Sequence, residues 1–475
     1  MTAPTMAIRP ARDDLRELLE LAAPVVFVQL GLMTMGVVDT ILVGRVSADA
    51  LAAVALGNMY FMTVVMIGMG VLFALDTVVS QAVGAGDLAG VARGVQRGLV
   101  LAGAMTLPSL LPLLFARAVF TALGQPPAVI PIAADYVLVS IPGLLPFFGF
   151  IVLRQSLQAM GKLRPIVLAI VFANLINALL CWMFVFGKLG APAMGAVGSG
   201  VASSIARWAM ALFLLAVAWR DLRPALVPLT RAALEPAPLG RMVRLGLPIG
   251  LQFVLEVGVF SLVGVLMGRL SAVALAGHQV AITLASLTFM VPLGVSVSAA
   301  VLVGRAVGRR DPRGARRAAG LSIAASATFM ALSALTLLLL PRAIAALYTN
   351  DPAVIAIAAS LIPIAGVFQI FDGLQVTAGG VLRGFGETRS PMIANLIGYW
   401  VLGFPVSLYL GFRAGLGPRG LWCGFVVGLG AVAVFLLTRV RANLVHIPEP
   451  VAIDASPQPG IAQPDPFAAA EHPAG

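Results

Sequence analysis

Twelve long apolar segments decide what this chain can fold into. Each holds about 20 or more mostly uncharged residues, the length that an α-helix needs to cross the hydrocarbon core of a bilayer. The segments lie near 21–44, 51–76, 96–117, 130–153, 165–187, 193–219, 245–268, 275–303, 318–347, 353–382, 391–412 and 417–438. Helices satisfy their backbone hydrogen bonds internally, as a bilayer requires. We therefore predict an all-α polytopic membrane protein with twelve transmembrane helices.

The composition excludes a soluble globular protein. Charged residues make up 11% of the chain, whereas soluble domains carry about 25%. The first twenty residues mix Asp and Glu with Arg and lack a small-residue cleavage site, which favours a cytoplasmic arm over a signal peptide. Cys181 and Cys423 lie in apolar segments, and no spacing typical of a disulfide framework or a metal site is present. We expect no bound cofactor.

The chain contains an internal repeat. A slide of 224 residues, without a gap, aligns the first half with the second. The matched pairs include Pro24 with Pro248, Ser47 with Ser271, and Asp87 with Asp311. Because the offset spans six helices, an even number, both halves have the same orientation and are related by an axis along the membrane normal. We predict two pseudo-symmetric six-helix bundles with a cleft between them.

The boundaries of these units follow from composition. The longest connection is rich in Pro and Arg, and the C-terminal end holds many prolines without apolar periodicity. The predicted organisation is a cytoplasmic arm 1–20, an N-lobe 21–219, a cytoplasmic linker 220–244, a C-lobe 245–440 and a disordered cytoplasmic tail 441–475.

Basic residues predict the orientation. With the N-terminus inside, twenty-three Lys and Arg residues fall on the inner side and seven on the outer side. Both termini are therefore expected in the cytoplasm, and the chain in the inner (plasma) membrane. The net charge of +11 then belongs to loops beside an anionic lipid surface, which argues against a nucleic-acid partner. We expect the protein to act as a monomer in the bilayer.

Three carboxylates inside the apolar segments are the main functional candidates. Asp39, Glu256 and Asp372 lie in segments one, seven and ten, where a charged carboxylate costs roughly 2.5 kcal/mol or more. They break the repeat, since Glu256 aligns with Leu32 and Asp39 with Val263. This divergence indicates different tasks for the two lobes. We expect all three carboxylates to border the central cleft.

The neighbours of these carboxylates favour an organic cation as substrate. Helical spacing places Gln252, Phe253 and Phe260 beside Glu256, while Phe368, Gln369 and Gln375 flank Asp372. Amide, aromatic ring and carboxylate groups together suit a cationic amphipathic compound. The alternative is that each carboxylate pairs with a buried Arg. Only Arg207 is predicted well inside a segment, and one Arg cannot neutralise three acids.

Other polar residues in the segments are weaker candidates. Asn177 and Ser203 either assist Asp39 or bridge helices. Asp76 is expected at the solvated end of segment two. For His278 a hydrogen bond in the core is favoured over proton handling.

Several segments carry a family resemblance, among them MGVVDT with the following LVGRVSADALAAVALGN, LPIGLQFVLEVGVFSLVG, and FQIFDGLQVTAGGVLRGFGETRSPM. Together they resemble the multidrug and toxic compound extrusion (MATE) transporters of the MOP superfamily, with most similarity to the NorM-like branch. The resemblance runs from about Pro24 to Thr438 and implies a two-lobe exporter of cationic and amphipathic drugs that exchanges them for Na⁺ or H⁺. It also implies functional roles for Asp39, Glu256 and Asp372.

In the N-lobe cation site of related members, an Asn is followed four residues later by Asn or Asp. Asn177 matches the first of these, Cys181 stands at the second, and Ser203 stands where the family has Thr. Na⁺ is held by oxygen and thiol sulfur is a soft ligand, so Cys181 argues against Na⁺ binding in the N-lobe site. The carboxylates at which the resemblance implies a Na⁺ site are Glu256, Asp372 or Asp39.

The mechanism expected from these residues is competition between the coupling ion and the drug for the carboxylates. A buried carboxyl group holds a proton more readily because its charged form loses water. The alternative function is a flippase for lipid-linked precursors or polysaccharides, which is expected to have a more basic cavity. An enzyme is not expected, because the sequence has no DxxxD pair, no HExxH and no phosphate-binding Gly loop.

Overall fold

The computed structural model describes residues 11–454, with side chains from Asp13 onward, and contains the twelve expected membrane helices in this part of the chain. They are α1 (Ala11–Gly44), α2 (Ala48–Ala85), α3 (Leu88–Leu114), α4 (Val129–Ala159), α5 (Arg164–Phe186), α6 (Gly195–Val217), α7 (Pro236–Leu270), α8 (Ala272–Gly308), α9 (Pro312–Leu339), α10 (Pro352–Phe385), α11 (Arg389–Arg413) and α12 (Gly417–Val445). The predicted all-α polytopic fold is confirmed.

Two of these helices are irregular. A short 3₁₀ turn at Ile141–Gly143 interrupts α4, where Pro142 cannot donate a backbone hydrogen bond. In α11, Leu396–Gly403 and Tyr409–Arg413 form π-helical turns, which widen the helix locally. π-Helical turns are frequent at functional sites.

The residues that match between the repeats are those that start equivalent helices. Ser47 Oγ accepts a hydrogen bond from the Ala50 amide at 3.0 Å, and Ser271 Oγ accepts one from Ala274 at 2.9 Å. Asp87 and Asp311 cap α3 and α9 in the same way. These side chains satisfy backbone N–H groups that have no partner within the helix. Helix initiation therefore explains why the two halves retain these positions.

Helices α1–α6 form the N-lobe and α7–α12 form the C-lobe, and the lobes touch near the face of the membrane where α1 begins and α12 ends. We call this the terminal face. A Cβ on Gly70 would lie 2.0 Å from the backbone nitrogen of Gly250, and a Cβ on Gly308 would lie 2.0 Å from the carbonyl oxygen of Gln81. These contacts lie in the halves of α2, α7 and α8 that approach the terminal face. The cleft is therefore closed at the terminal face.

Polar contacts also join the lobes at the terminal face. Arg317 of α9 lies 3.0 Å from the Asp14 carboxylate of α1. Arg305 of α8 donates two hydrogen bonds to the carbonyl oxygen of Ala159 at the end of α4, at 3.0 and 2.7 Å. Several of the basic residues that favoured an inner location thus fasten the two lobes together.

Three boundaries differ from the sequence prediction. The first helix begins at Ala11, inside the predicted arm 1–20, because an amphipathic turn extends it and buries Leu18. The seventh begins at Pro236, inside the predicted linker 220–244. The last continues to Val445, inside the predicted tail 441–475. Residues 1–10 and 455–475, which hold the rest of the predicted arm and tail, lie outside the described residues.

The described end of the chain returns from the C-lobe to the N-lobe. The Val451 amide donates to Gln81 Oε1 at 2.7 Å, and Arg241 Nε donates to the Ile453 carbonyl oxygen at 2.6 Å. The Asp454 carboxylate lies 2.6 Å from Arg97 and 2.8 Å from Arg93 of α3. This part of the predicted tail, 451–454, is therefore docked on α2, α3 and α7.

We expect the attachment of 451–454 to depend on the charge of Asp454. Burial alone would raise the pKa of Asp454, but the hydrogen bonds and charges of Arg97 and Arg93 outweigh it and hold the pKa below its usual value. The ion pairs therefore stabilise the docked segment above the ordinary Asp pKa of about 3.9 and are lost as the pH falls through the lower folded value. Asp454→Asn should speed hydrogen exchange of this segment at pH 7 by about three- to tenfold.

Hydrogen exchange measured by mass spectrometry checks this expectation. Asp49→Asn, which removes an exposed carboxylate at the opposite face, is the matched control. Equal exchange rates in 451–454 for the two variants would contradict a role of the Asp454 ion pairs in docking.

Candidate substrate and cation site

A cavity of about 510 Å³ lies between the lobes and is lined by α1, α2 and α4 on one side and by α7, α8 and α10 on the other. Its apolar wall consists mainly of Met66, Met69, Phe73, Phe253, Phe260, Phe289 and Phe368. Pockets for drug-sized ligands typically measure about 300–1,000 Å³ and are mostly apolar with a few polar groups. The cavity is therefore of a suitable size for an amphipathic small molecule.

Two of the three predicted carboxylates, Glu256 and Asp372, line this cavity. Glu256 lies on α7 one turn after Gln252 and Phe253, and all three side chains reach the cavity, as their helical spacing predicts. Asp372 lies on α10, one turn after Phe368, which also lines the cavity. The C-lobe thus supplies an acidic and aromatic wall.

The two carboxylates have few partners. Gln375 Nε2 and Asn395 Nδ2 donate to the two oxygens of Glu256, each at 3.5 Å, which is long for a hydrogen bond. Within the described part of the chain, no Lys, Arg or His nitrogen lies within 4.0 Å of either carboxylate. Neither carboxylate is therefore held in a fixed ion pair, and both can interact with a ligand.

Oxygen atoms around the carboxylates also lack partners. Gln375 Oε1, Asn395 Oδ1 and the Tyr399 hydroxyl are buried without a hydrogen bond to any described residue. Tyr399 lies in the first π-helical turn of α11, and Asn395 directly precedes that turn. This part of α11 therefore belongs to the site. Buried polar groups normally have a partner, and a group of oxygen atoms is what a hard cation such as Na⁺ prefers. The residues present fit a small cation.

Aromatic rings surround the same region. Phe260 meets Phe368 edge to face with ring centres 5.9 Å apart, and Phe73 of the N-lobe meets Phe253 of the C-lobe at 5.7 Å. Ring faces attract organic cations, and the second pair lies across the cleft. Movement of one lobe against the other would separate these two rings.

The N-lobe carboxylate Asp39 lies in a separate site. Asn177 Nδ2 donates to Asp39 Oδ1 at 2.6 Å and Ser203 Oγ donates to Asp39 Oδ2 at 3.0 Å. The Cys181 thiol, one helical turn after Asn177, lies close to the same carboxylate. The structure thus brings together the N-lobe residues that the sequence singled out. Asp39 does not line the central cavity, so the expectation that all three carboxylates border one cleft was wrong for this residue.

Asp39 is held by neutral groups. The nearby Arg207 lies instead over the Phe61 ring, 4.3 Å from its centre, and over the Phe147 ring at 5.5 Å. No ion pair within 4.0 Å joins Asp39 to a described basic residue. The alternative interpretation, in which this carboxylate is a fixed partner of a buried Arg, is therefore not supported.

One predicted substrate residue has a different role. Gln369 is fully buried, donates to Thr288 Oγ1 at 2.6 Å and accepts from Ser333 Oγ at 2.9 Å. It therefore joins α10 to α8 and α9 and does not line the cavity. Gln375, two turns further along α10, takes the position in the cavity.

Charged residues at the closed end of the cavity were missed by the sequence. Arg154, Arg383 and Asp76 line the cavity, and their exposures are only 7%, 7% and 1%. The sequence placed both arginines in loops and Asp76 at a solvated helix end, and these assignments were wrong. Without the two arginines the inner side still holds twenty-one basic residues against seven (23 − 2 = 21).

The membrane histidine behaves as predicted. His278 Nδ1 accepts a hydrogen bond from Trp422 Nε1 at 3.2 Å, and the two rings pack edge to face. His278 is buried away from the cavity. The core hydrogen bond is confirmed.

Comparison with known families gives one match over most of the chain. The profile of the MatE family matches residues 24–183 and 248–409. The two matches begin 224 residues apart (248 − 24), which equals the offset of the internal repeat. The profile therefore matches the equivalent part of each lobe, from the first helix into the fifth.

Curated relatives are similar over nearly their whole length. The chain is 37% identical to the probable multidrug resistance protein NorM of Mesorhizobium japonicum, covering 90% of this chain and 94% of that protein. It is 38% identical to the multidrug resistance protein PmpM of Pseudomonas aeruginosa, covering 91% and 92%.

Solved structures share the fold. A crystal structure of the eukaryotic MATE transporter AtDTX14 superposes with a TM-score of 0.82 at 23% identity, covering 91% of this chain and 96% of that one. The bent form of the Vibrio cholerae MATE transporter VcmN gives a TM-score of 0.80 at 20% identity, covering 92% and 98%.

Proposed function

This chain belongs to the MatE family of multidrug efflux transporters, and we propose that it exports organic cations in exchange for Na⁺ or H⁺. The observation that carries the proposal is the acidic and aromatic wall formed by Glu256, Asp372, Phe253 and Phe368 in a cavity between two lobes. A cationic amphipath bound there would pair with carboxylates that have no basic group within 4.0 Å, and its apolar body would contact the aromatic rings.

The coupling ion and the substrate compete for the same carboxylates. Glu256 and Asp372 have three unpartnered oxygen atoms beside them, from Gln375, Asn395 and Tyr399, and these suit Na⁺. A proton on either carboxylate has the same electrostatic effect, since it removes the charge that holds the drug. Arrival of the ion therefore releases the substrate, and loss of the ion restores the site.

The direction of transport follows from the orientation of the cleft. We assign the terminal face to the cytoplasm because most basic residues lie there, so the cleft is closed on the cytoplasmic side. In this state the substrate leaves and the ion enters. The membrane potential contributes about 2.3 kcal/mol per 100 mV for each net charge moved inward.

The site in the N-lobe acts on coupling. Asp39 does not line the cavity, and its carboxylate accepts hydrogen bonds from two neutral donors, Asn177 and Ser203. When Asp39 gains a proton or binds an ion, it can no longer accept the same hydrogen bonds from these donors. The packing of α1 against α5 and α6 then changes, and α1 also contributes Gln29 and Leu32 to the cavity wall.

The flippase alternative is less well supported. A flippase is expected to have a basic cavity, and Arg154 and Arg383 do line this one. The same cavity is also lined by three carboxylates, Asp76, Glu256 and Asp372. The acidic groups outnumber the basic ones.

Transport in proteoliposomes tests the exchange mechanism. Proteoliposomes that contain the purified full-length protein are given either a Na⁺ gradient or a proton gradient. At least one of the two gradients should make them accumulate ethidium. Asp39→Asn should leave the dissociation constant of ethidium within about twofold while lowering gradient-driven transport, because Asp39 lies outside the cavity. Transport that neither gradient drives would refute the antiport mechanism.

A further inference from the structure

Two buried arginines bound the closed end of the cavity and have no part in the exchange described above. Arg154 comes from α4 of the N-lobe and Arg383 from α10 of the C-lobe, and both line the cavity. Each is 7% exposed, so each guanidinium group is buried in the protein. One basic group from each lobe therefore meets the same space.

These guanidinium groups are only partly satisfied. Arg154 Nη1 donates to Gln29 Oε1 at a long 3.4 Å, and Arg383 Nη2 donates to Ser296 Oγ at 3.0 Å. The Nε atoms of both arginines are buried without a partner among the described residues. A guanidinium group has five N–H donors, so most of this capacity is unused.

The nearest acid does not neutralise them. Asp76 interacts with both arginines through space, and Glu256 interacts with Arg383 in the same way, yet no carboxylate oxygen in the described chain lies within 4.0 Å of either arginine. Asp76 Oδ1 itself is buried without a partner. Buried charges are normally paired, and the planar guanidinium group matches a carboxylate in a bidentate geometry.

We infer that Arg154 and Arg383 form a subsite for the carboxylate group of zwitterionic amphipathic substrates. The inference rests on the proposed function, because it assigns the second end of the same cavity. The ammonium end of such a substrate lies against Glu256 and Asp372, and its apolar body lies among the Phe and Met side chains between the two ends. Asp76 competes with the substrate carboxylate for the arginines.

The same geometry gives the subsite a position between the lobes. A carboxylate held by both arginines connects α4 with α10 at the closed end of the cleft. Separation of the lobes at the terminal face would break one of these contacts. The subsite therefore binds its ligand most completely while that face is closed.

A pair of dyes that differ only in this group provides the test. Rhodamine 110 carries a free carboxylate beside its cationic ring system, and rhodamine 123 is its methyl ester. Binding of each dye to purified full-length protein is measured by fluorescence polarisation. Arg154→Gln and Arg383→Gln should each weaken binding of rhodamine 110 by about tenfold or more and leave rhodamine 123 within about twofold.

A variant of Asp76 separates ligand binding from a purely structural role. Asp76→Asn keeps the shape of the side chain and removes the competing charge, so it should tighten binding of rhodamine 110 by about threefold relative to rhodamine 123. The ratio of the two dissociation constants is the readout, so a general loss of folded protein does not imitate the expected result.

The outcomes distinguish this inference from the function on which it rests. An unchanged ratio in Asp76→Asn and in the two arginine variants overturns the carboxylate subsite. Binding of rhodamine 123 alone by the wild-type protein overturns the subsite and leaves the proposed function standing. Binding of neither dye by the wild-type protein overturns both.

Discussion

The double variant Glu256→Gln, Asp372→Asn is expected to lower ethidium export by about 10- to 100-fold. These carboxylates are the acidic groups of the C-lobe wall, and no described basic residue within 4.0 Å offsets their charge. The amides have nearly the same size, so packing among Phe260, Phe368 and Tyr399 is retained. The loss therefore reports on charge. It is measured as efflux from dye-loaded cells and as the dissociation constant of ethidium.

Asp135→Asn is the matched control for this double variant. Asp135 lies in α4 near the opposite face, is exposed and is not part of the cavity, so its exchange should leave export within about twofold. Export by the double variant at the level of Asp135→Asn would contradict the proposal that the substrate binds between these carboxylates.

The fold could be predicted because a bilayer imposes one strong condition on the sequence. Helices must present about 20 apolar residues to the hydrocarbon core, and a composition with 60% hydrophobic residues shows twelve such runs. The repeat added the two lobes, since the matched residues Ser47 and Ser271 cap equivalent helices. Neither argument required knowledge of tertiary contacts.

The ends of the helices could not be predicted in the same way. An apolar segment was taken to stop where charge begins, but α2 continues from residue 76 to Ala85. In this extension Thr77 Oγ1 donates to the Arg383 carbonyl oxygen and Gln81 Nε2 donates to the Gly384 carbonyl oxygen. Polar residues are thus buried against the other lobe at the terminal face. Hydropathy cannot distinguish burial in protein from exposure to water.

The same error accounts for the missed end of the cavity. Asp76, Arg154 and Arg383 each stand at or one residue beyond the predicted end of an apolar segment, and each is buried. By contrast, Glu256 and Asp372 stand in the middle of their segments, where a charge cannot be attributed to a loop. The sequence therefore predicted the acidic residues of the cavity and did not predict the two arginines.

The pair of carboxylate sites shows what the repeat could and could not indicate. Divergence between the halves correctly marked Asp39 and Glu256 as different, and the structure places them in separate surroundings. Whether a side chain turns toward the cleft or into its own lobe depends on helix rotation. A rotation of α1 that directs Asp39 toward α5 and α6 leaves no clear signal in an apolar sequence.

Addition of a single methyl group at the lobe contact should open the terminal face. Gly70→Ala places a Cβ 2.0 Å from the backbone nitrogen and 2.2 Å from the Cα of Gly250, and backbone atoms cannot rotate away. Helices α2 and α7 must separate to relieve this overlap. Such overpacking costs about 1–3 kcal/mol, which shifts the balance between closed and open states by about 5- to 150-fold.

Spin labels on the two lobes measure this shift. Cysteines introduced at Arg220 and Arg313, in a background in which Cys423 is replaced by Ser, report the separation of the lobes at the terminal face by electron–electron double resonance. Gly103→Ala is the control, because a Cβ on Gly103 meets no atom within 4 Å. Longer distances only in Gly70→Ala are expected, since the control adds the same methyl group without an overlap. If both variants keep the wild-type distances, the Gly70–Gly250 contact does not hold the lobes together. The closed end of the cleft then depends on the other contacts between the lobes, which include the ion pair of Asp14 with Arg317, the hydrogen bonds of Arg305 and the docked segment 451–454.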